Sequence, residues 1–406
     1  MKTCIYGLVG WVLAMLLSAC ATPPATAPID HLLHDSLFQP RTVNTDAEQV
    51  FAISSAMRAH LNAPQFAQSL IKRGKAQGLL EALYTRTQLQ LEYDADITRT
   101  AAQTFDERRG NCLSLVVMTA AFAKELGIPV IFQSVYVDEL WSRSGNMALL
   151  SEHVNLRLVS RLENTVSLGS DTMTVDFLPP EQRHGERARA VTEAAIVAMF
   201  MNNRSVESLR HGQIDDAYWW ARAAVSTDPL QLYAFNTLAI VYRQSGHSAQ
   251  AEQALTHVLT DQPDNAQALS NLVLVLGDLG RLTERQAVAK RLAHLQPVPP
   301  YYYFDLGQKA MKDGHFNVAK TLFEKEVARQ AYNAEFHFWL AQAHYQLQNR
   351  SAARAALALA VEHSTTVRDR ERYADLLAAL RAPKSTGASR SISPDQVEEE
   401  LDWLRR

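Results

Sequence analysis

Three residues in the first half of the chain have the side chains that nucleophilic catalysis needs: Cys112, His153 and Asp176. Cys112 stands where the polar segment 108–111 runs into an apolar stretch typical of a helix, and the free N–H groups at a helix start favour a thiolate. His153 opens a stretch of alternating apolar and polar residues, which predicts a strand with the imidazole on its polar face, within reach of the sulfur. Asp176 ends the next predicted strand and would orient the imidazole; Asp171 takes that role if the strand register differs.

The N-terminus has the features of a secretory signal. Lys2 supplies a basic start, a mostly apolar stretch follows, and small residues precede Cys20. The segment Leu17-Ser18-Ala19-Cys20 resembles the lipobox of bacterial lipoproteins. The resemblance implies that residues 1–20 are a signal peptide, that Cys20 carries the lipid, and that the protein is anchored to the outer membrane on its periplasmic side. An uncleaved N-terminal anchor is the alternative.

Cys112 is therefore without an evident disulfide partner. The chain has three cysteines, and the other two lie in the predicted signal. In an oxidising compartment cysteines are usually paired, so an unpaired one needs a reason. Reactivity is one reason, and a buried, inert thiol is the other.

The composition restricts the kinds of partner. The 406 residues carry a formal net charge of −3 at pH 7 and no run of basic residues, so electrostatics give no case for a nucleic acid partner. The apolar content of 47% is ample for the cores of two or three domains. A lone cysteine with scattered histidines has no zinc-ligand spacing, and we expect neither a metal nor another cofactor.

The second half of the chain repeats with a period of 34 residues. Turn residues recur in constant phase at Pro229, Pro263 and Pro297 and at Gly212, Gly246, Gly280 and Gly314. This pattern resembles tetratricopeptide (TPR) repeats, which are pairs of antiparallel helices that stack into a solenoid. We expect about five repeats over residues 198–367, closed by a capping helix at 368–381. The resemblance implies a bound protein or peptide partner.

An α+β domain is predicted ahead of the repeats, over residues 45–197. Strands are predicted at 130–137, 153–159 and 172–177, and we expect them to form an antiparallel meander behind a layer of helices. The segment 138–151 between the first two strands shows little periodicity and is predicted to be a flap.

Two segments flank these domains. Residues 21–44 begin with a stretch rich in Ala, Thr and Pro and are predicted to be a tether. Residues 382–406 begin with a stretch rich in Pro, Ser, Thr and Gly and are predicted to be a linker with a terminal helix.

The predicted α+β domain resembles the transglutaminase-like superfamily, the bacterial branch of papain-like cysteine enzymes. The resemblance covers about residues 80–180 and is carried by Tyr93-Asp94, Arg109-Gly110-Asn111-Cys112-Leu113-Ser114, Leu126-Gly127-Ile128-Pro129, His153-Val154 and Val175-Asp176-Phe177. It implies a triad of Cys112, His153 and Asp176 that attacks amide carbonyls, on a helix packed against an antiparallel sheet. The backbone N–H of Cys112 is the expected donor to the oxyanion, with the side chain of Gln103 or Asn111 as a candidate second donor.

Two functions remain open from the sequence. We expect an outer-membrane-anchored periplasmic cysteine enzyme, a peptidase or amidase or a transglutaminase-like acyl transferase, whose TPR repeats recruit a protein or peptide. The alternative is a non-catalytic TPR scaffold or assembly lipoprotein with a degenerate transglutaminase-like domain. The thiol of Cys112 separates the two, because an enzyme needs an activated thiolate and a scaffold does not.

Overall fold

The computed structural model describes residues 29–84, 89, 91–136, 141–144, 147–150, 153–159, 172–177 and 187–381. The predicted signal peptide with Cys20, the candidate Asp171 and the predicted terminal segment 382–406 lie outside these residues. Within the described ranges, no helix combines the length and the apolar character needed to cross a membrane.

The first part of the chain contains helices and short strands. Its helices are α1 (Ser55–Leu61), α2 (Pro64–Arg73), α3 (Lys75–Tyr84), α4 (Ala101–Glu107) and α5 (Cys112–Glu125). Its strands are β1 (Glu92–Tyr93), β2 (Arg109–Gly110), β3 (Val130–Tyr136), β4 (Trp141–Ser144), β5 (Met147–Leu150), β6 (His153–Val159), β7 (Thr172–Val175) and β8 (Arg187–Val191).

Among the described residues, the main sheet has four antiparallel strands in the order β7-β6-β3-β8. β3 pairs with β6 and β6 pairs with β7, as in the predicted meander. β8 pairs with the other edge of β3 and was not predicted, because its sequence, Arg-Ala-Arg-Ala-Val, has only one β-branched residue. The segment predicted to be a flap contains the hairpin of β4 and β5, and β5 lies beside helices of the repeat region.

Helix α5 is the centre of this region. All of its residues from Leu113 to Ala123 are buried, and the helix packs on β6 and β3. A helix that is apolar on every side is expected to be surrounded by other elements. Gly127 follows α5 with a φ of +67°, a left-handed conformation that suits glycine and turns the chain toward β3.

The repeat region is all helical. Its helices are α6 (Glu193–Arg210), α7 (Ile214–Thr227), α8 (Leu232–Gln244), α9 (Ser248–Asp261), α10 (Ala266–Asp278), α11 (Leu282–Leu295), α12 (Tyr302–Lys312), α13 (Phe316–Arg329), α14 (Ala334–Gln346), α15 (Arg350–Glu362) and α16 (Val367–Arg381). They form five antiparallel pairs followed by α16. The predicted domain boundary after residue 197 falls inside α6, which is continuous from Glu193, where Thr192 caps it.

The solenoid is interrupted between α11 and α12. Throughout the described repeat region all other consecutive helices pack closely, whereas these two do not, and α11 has no buried residue. The hydrophobic core divides at the same place. One cluster of buried residues extends from the α+β region to α10, and two separate clusters lie within α12 to α16. Three prolines within residues 296–300 join the two halves without a helix.

Residues 29–44 are not a free tether. The carboxylate of Asp35 accepts a hydrogen bond from the Tyr218 hydroxyl and pairs with Arg222, both at 2.7 Å. The ring of Phe38 is buried and stacks on Tyr218, with the ring centroids 3.9 Å apart. The tether prediction fails here because the few apolar residues of the segment bind the repeats rather than a core of their own.

Candidate functional site

Cys112 is the first residue of α5, and the residues before it have distinct local roles. The Asn111 side chain caps the helix by accepting a hydrogen bond from the Ser114 N–H at 2.8 Å. Gly110 permits close approach to the helix, since a Cβ there would lie 2.7 Å from the Ser114 Cβ. Arg108 ends α4 in a left-handed conformation, with a φ of 55°. The Arg-Gly-Asn-Cys pattern is thus a tight turn that fixes Cys112 at a helix start.

His153 and Asp176 form a hydrogen-bonded pair. The imidazole Nε2 of His153 and the carboxylate Oδ1 of Asp176 are 2.8 Å apart, and Nε2 donates, because a carboxylate only accepts. The register between β6 and β7 places Asp176 beside Asn155, whose Nδ2 donates to Oδ2 at 2.8 Å. Both carboxylate oxygens are therefore engaged, which fixes the orientation of the imidazole.

The Cys112 thiol is the other hydrogen-bonding partner of the His153 imidazole. Because Nε2 is bound to Asp176, Nδ1 is the nitrogen that remains for the sulfur. Burial lowers the pKa of His153, but the hydrogen bonds and charges of Asp176 and Cys112 outweigh it and raise the pKa to about 9. His153 is 2% exposed, whereas Cys112 is only half-buried. The structure thus brings the three predicted residues together.

Tyr93 also contacts Cys112, and no role was predicted for it. Its hydroxyl accepts a hydrogen bond from the Cys112 backbone N–H. The strand that carries it pairs in parallel with β2, so that Tyr93 lies opposite Gly110. Burial, followed by the charge of Cys112, raises the pKa of Tyr93, and the phenol therefore stays protonated at neutral pH.

The two side chains considered as second oxyanion donors are held elsewhere. Gln103 accepts a hydrogen bond from the Thr100 N–H at 3.1 Å, as part of a capping box at the start of α4. Asn111 donates from Nδ2 to the Thr98 hydroxyl at 2.8 Å, while its oxygen caps α5. The contacts seen for both amides are thus within the turns that start α4 and α5.

A buried polar chain links Cys112 to the first repeat helix. Asn111 bonds to Thr98, and the Thr98 N–H donates to Oε1 of Glu207 on α6 at 2.7 Å. Arg204 pairs with the same carboxylate at 2.8 Å. Burial raises the pKa of Glu207, although Arg204 and Thr98 oppose it. Sequence reasoning missed this support, because no spacing pattern relates residues that lie 109 positions apart.

No cluster of three or more His, Cys, Asp or Glu side chains suited to a metal ion occurs among the described residues. The thiol, the imidazole and the carboxylate of the site come from α5, from the start of β6 and from the residue after β7.

Comparison with known proteins identifies the repeats. The family model of the tetratricopeptide repeat matches residues 236–297 and 304–366. A thermophilic TPR protein of Thermus thermophilus is 19% identical over 45% of this chain and 99% of its own, with a TM-score of 0.30. MamA from Desulfovibrio magneticus is 17% identical over 41% of this chain and 94% of its own, with a TM-score of 0.24. Both TM-scores are too low to carry a functional conclusion, and no curated protein matches the chain.

The predicted repeat architecture is confirmed by these helix pairs and by the family match. TPR solenoids typically bind protein partners on their extended surfaces. The C-terminal region of this chain is an all-helical TPR solenoid.

Proposed function

We propose that this protein is a TPR scaffold for protein partners that also carries a transglutaminase-like cysteine acyl-transfer site. The observation that supports it is the His153 imidazole, which is buried between the Asp176 carboxylate and the Cys112 thiol. An imidazole with a carboxylate at one nitrogen and a thiol at the other is the arrangement that activates the sulfur. Cys112 is half-buried at a helix start, where a substrate can reach it.

In the first half of the reaction the Cys112 sulfur, as a thiolate, attacks the carbonyl carbon of an amide or peptide. The carbonyl π electrons move to the oxygen, which gives a tetrahedral intermediate. His153 then donates its proton to the leaving nitrogen, the C–N bond breaks, and the acyl group remains on the sulfur as a thioester. Asp176 holds the ring and stabilises its positive charge, without itself accepting the proton.

In the second half a water molecule attacks the thioester, His153 takes up one of its protons, and the thiolate leaves. An amine in place of water would give crosslinking instead. We favour hydrolysis, and hence a peptidase or amidase, because the sequence has no evident site for an amine. The repeats would hold the protein or peptide substrate beside Cys112.

The location is a further part of this proposal. The lipobox-like segment supports lipidation of Cys20 and anchoring to the outer membrane on the periplasmic side. Cells that express the Cys20→Ser variant should incorporate no labelled palmitate into the protein, whereas Cys112→Ser should be labelled like wild type. Equal labelling of Cys20→Ser would refute the anchor.

The catalytic proposal is tested with the full-length protein in detergent and p-nitrophenyl acetate, followed by a library of peptide amides. We expect an acetyl adduct on Cys112 by intact-protein mass spectrometry, and none in Cys112→Ala. The proposal is wrong if wild type forms no adduct, and alkylation of its thiol only near the ordinary pKa of about 8.5 would accompany that result.

A scaffold without chemistry is the second candidate, and the family match favours it, because that match covers only the repeats. Under this reading a partner binds equally well to wild type and to Cys112→Ala, and no acyl adduct forms with any substrate. The same two measurements therefore separate the candidates.

A further inference from the structure

The oxyanion of a tetrahedral intermediate at Cys112 needs preorganised hydrogen-bond donors. The backbone N–H of Cys112 is one such donor, and it is hydrogen-bonded to the Tyr93 hydroxyl. We propose that the Tyr93 hydroxyl is the second donor of this oxyanion site, an inference that rests on the proposed acyl-transfer function.

The main chain on both sides of Tyr93 is hydrogen-bonded to the segment that leads to Cys112. The N–H of Glu92 donates to the Arg108 carbonyl at 2.8 Å, and the N–H of Asp94 donates to the Gly110 carbonyl at 3.0 Å. These two bonds flank Tyr93 and connect it to the turn that ends at the start of α5. Because the main chain is fixed in this way, only the Tyr93 hydroxyl has to change its hydrogen-bonding partner when charge develops on the substrate oxygen.

The far end of the solenoid supports the same strand. The N–H of Ala95 donates to the Thr365 carbonyl, just before α16, at 2.8 Å. Arg370 on α16 pairs with Glu92 at 2.9 Å. The ion pair is exposed and contributes little, but the backbone bond fixes the main chain two residues from Tyr93.

The chemistry of the phenol suits this role. Its oxygen accepts the Cys112 N–H, and among the described residues no acceptor is seen for its own proton. Burial raises the pKa of Tyr93, so the proton is retained at neutral pH. As the sulfur attacks, the carbonyl electron pair moves to the substrate oxygen. This oxygen then replaces the phenol oxygen as the acceptor of the hydrogen bond from the Cys112 N–H. Tyr93 then donates a hydrogen bond to the oxyanion and keeps its proton.

The test compares two reactions of the same sulfur in the full-length protein. Acetylation by p-nitrophenyl acetate passes through an oxyanion, whereas alkylation by iodoacetamide does not. We expect Tyr93→Phe to slow acetylation roughly 100-fold and to leave the rate and pH profile of alkylation unchanged. The matched control is Tyr84→Phe, which removes a buried hydroxyl that bonds to Thr119 on the same helix as Cys112. It should retain both rates.

The outcomes distinguish this inference from the proposed function. If wild type is not acetylated, both are wrong. If wild type is acetylated and Tyr93→Phe is equally fast, or loses acetylation and alkylation alike, only the role of Tyr93 is wrong. If Tyr93→Phe unfolds, 3-fluorotyrosine at this position keeps the hydroxyl as a stronger donor. It should then raise acetylation relative to alkylation, and an unchanged ratio would overturn the role.

Discussion

Replacing Asp176 with asparagine removes one negative charge from the site and little else. The carboxylate accepts hydrogen bonds from His153 and from Nδ2 of Asn155. The Oδ1 of Asn155 is buried and has no partner among the described residues. If the Asn155 side-chain amide rotates by about half a turn, this oxygen can accept a hydrogen bond from the amide of the asparagine introduced at position 176. Asp176→Asn is therefore expected to fold, with the contact to His153 retained.

The effect on His153 follows from its surroundings. Burial lowers its pKa, and Asp176 and Cys112 together raise it to about 9. A carboxylate within hydrogen-bonding distance raises the proton affinity of its partner roughly 10- to 1,000-fold. In Asp176→Asn we therefore expect the pKa of His153 to fall to between roughly 6 and 8. Near pH ~7.5 the imidazole then loses much of its charge, and the thiolate loses its counterion.

The assay is a pH titration of ¹⁵N-labelled histidine by NMR, with the His153 signal assigned from its absence in His153→Gln. Iodoacetamide alkylation of Cys112 is followed in parallel, and its rate below pH ~8 should fall with the charge on the imidazole. Asp35→Asn is the matched control, because it makes the same change at a carboxylate paired with Arg222 in the repeats. The reasoning is refuted if His153 titrates at the same pH in Asp176→Asn as in wild type.

Four further perturbations test the stability of the site and of the repeats. The pKa of His153 is about 9 when folded and about 6.5 when unfolded. Its protonation therefore contributes about 3 kcal/mol to the free energy of unfolding, complete below pH ~6.5 and lost as the pH rises through 9. Urea unfolding of wild type and His153→Gln as a function of pH measures this contribution. Gly307→Ala places a Cβ 2.5 Å from an aromatic ring and should cost about 1–3 kcal/mol. Gly277→Ala, where the Cβ meets a flexible side chain at 3.6 Å, should be neutral or slightly stabilising in thermal unfolding. Glu207→Ala leaves the buried Thr98 N–H without its acceptor and should lower the free energy of unfolding by about 1–3 kcal/mol.

The repeat region was predictable because its signals are local. The glycines that recur every 34 residues all adopt positive φ, a conformation that favours glycine and so marks each turn in the sequence. The interruption between α11 and α12 was not predictable, since a helix has the same apolar period whether or not its neighbour packs against it. It becomes visible only in the division of the buried core.

The candidate site was predictable in part for the same reason. Gly110, Asn111 and Cys112 act within one turn, and their roles follow from local backbone geometry. His153 was placed from strand alternation. Tyr93 lies on a strand of two residues, which is too short to show a period, and its contact with Cys112 depends on pairing with β2. Sequence reasoning therefore placed the thiol and the imidazole together but not the hydroxyl beside them.

The site and the solenoid are one structural unit, although the sequence suggests two domains. Helix α6 accepts the Thr98 N–H through Glu207, and the turn before α16 accepts the Ala95 N–H through Thr365. The segment between Ala95 and Thr98 leads on to the Cys112 turn, so both ends of the solenoid support it. A protein truncated before Glu193 would lose both supports. Inactivity of such a fragment would therefore say nothing against Cys112 as a nucleophile, and activity has to be measured on the full chain.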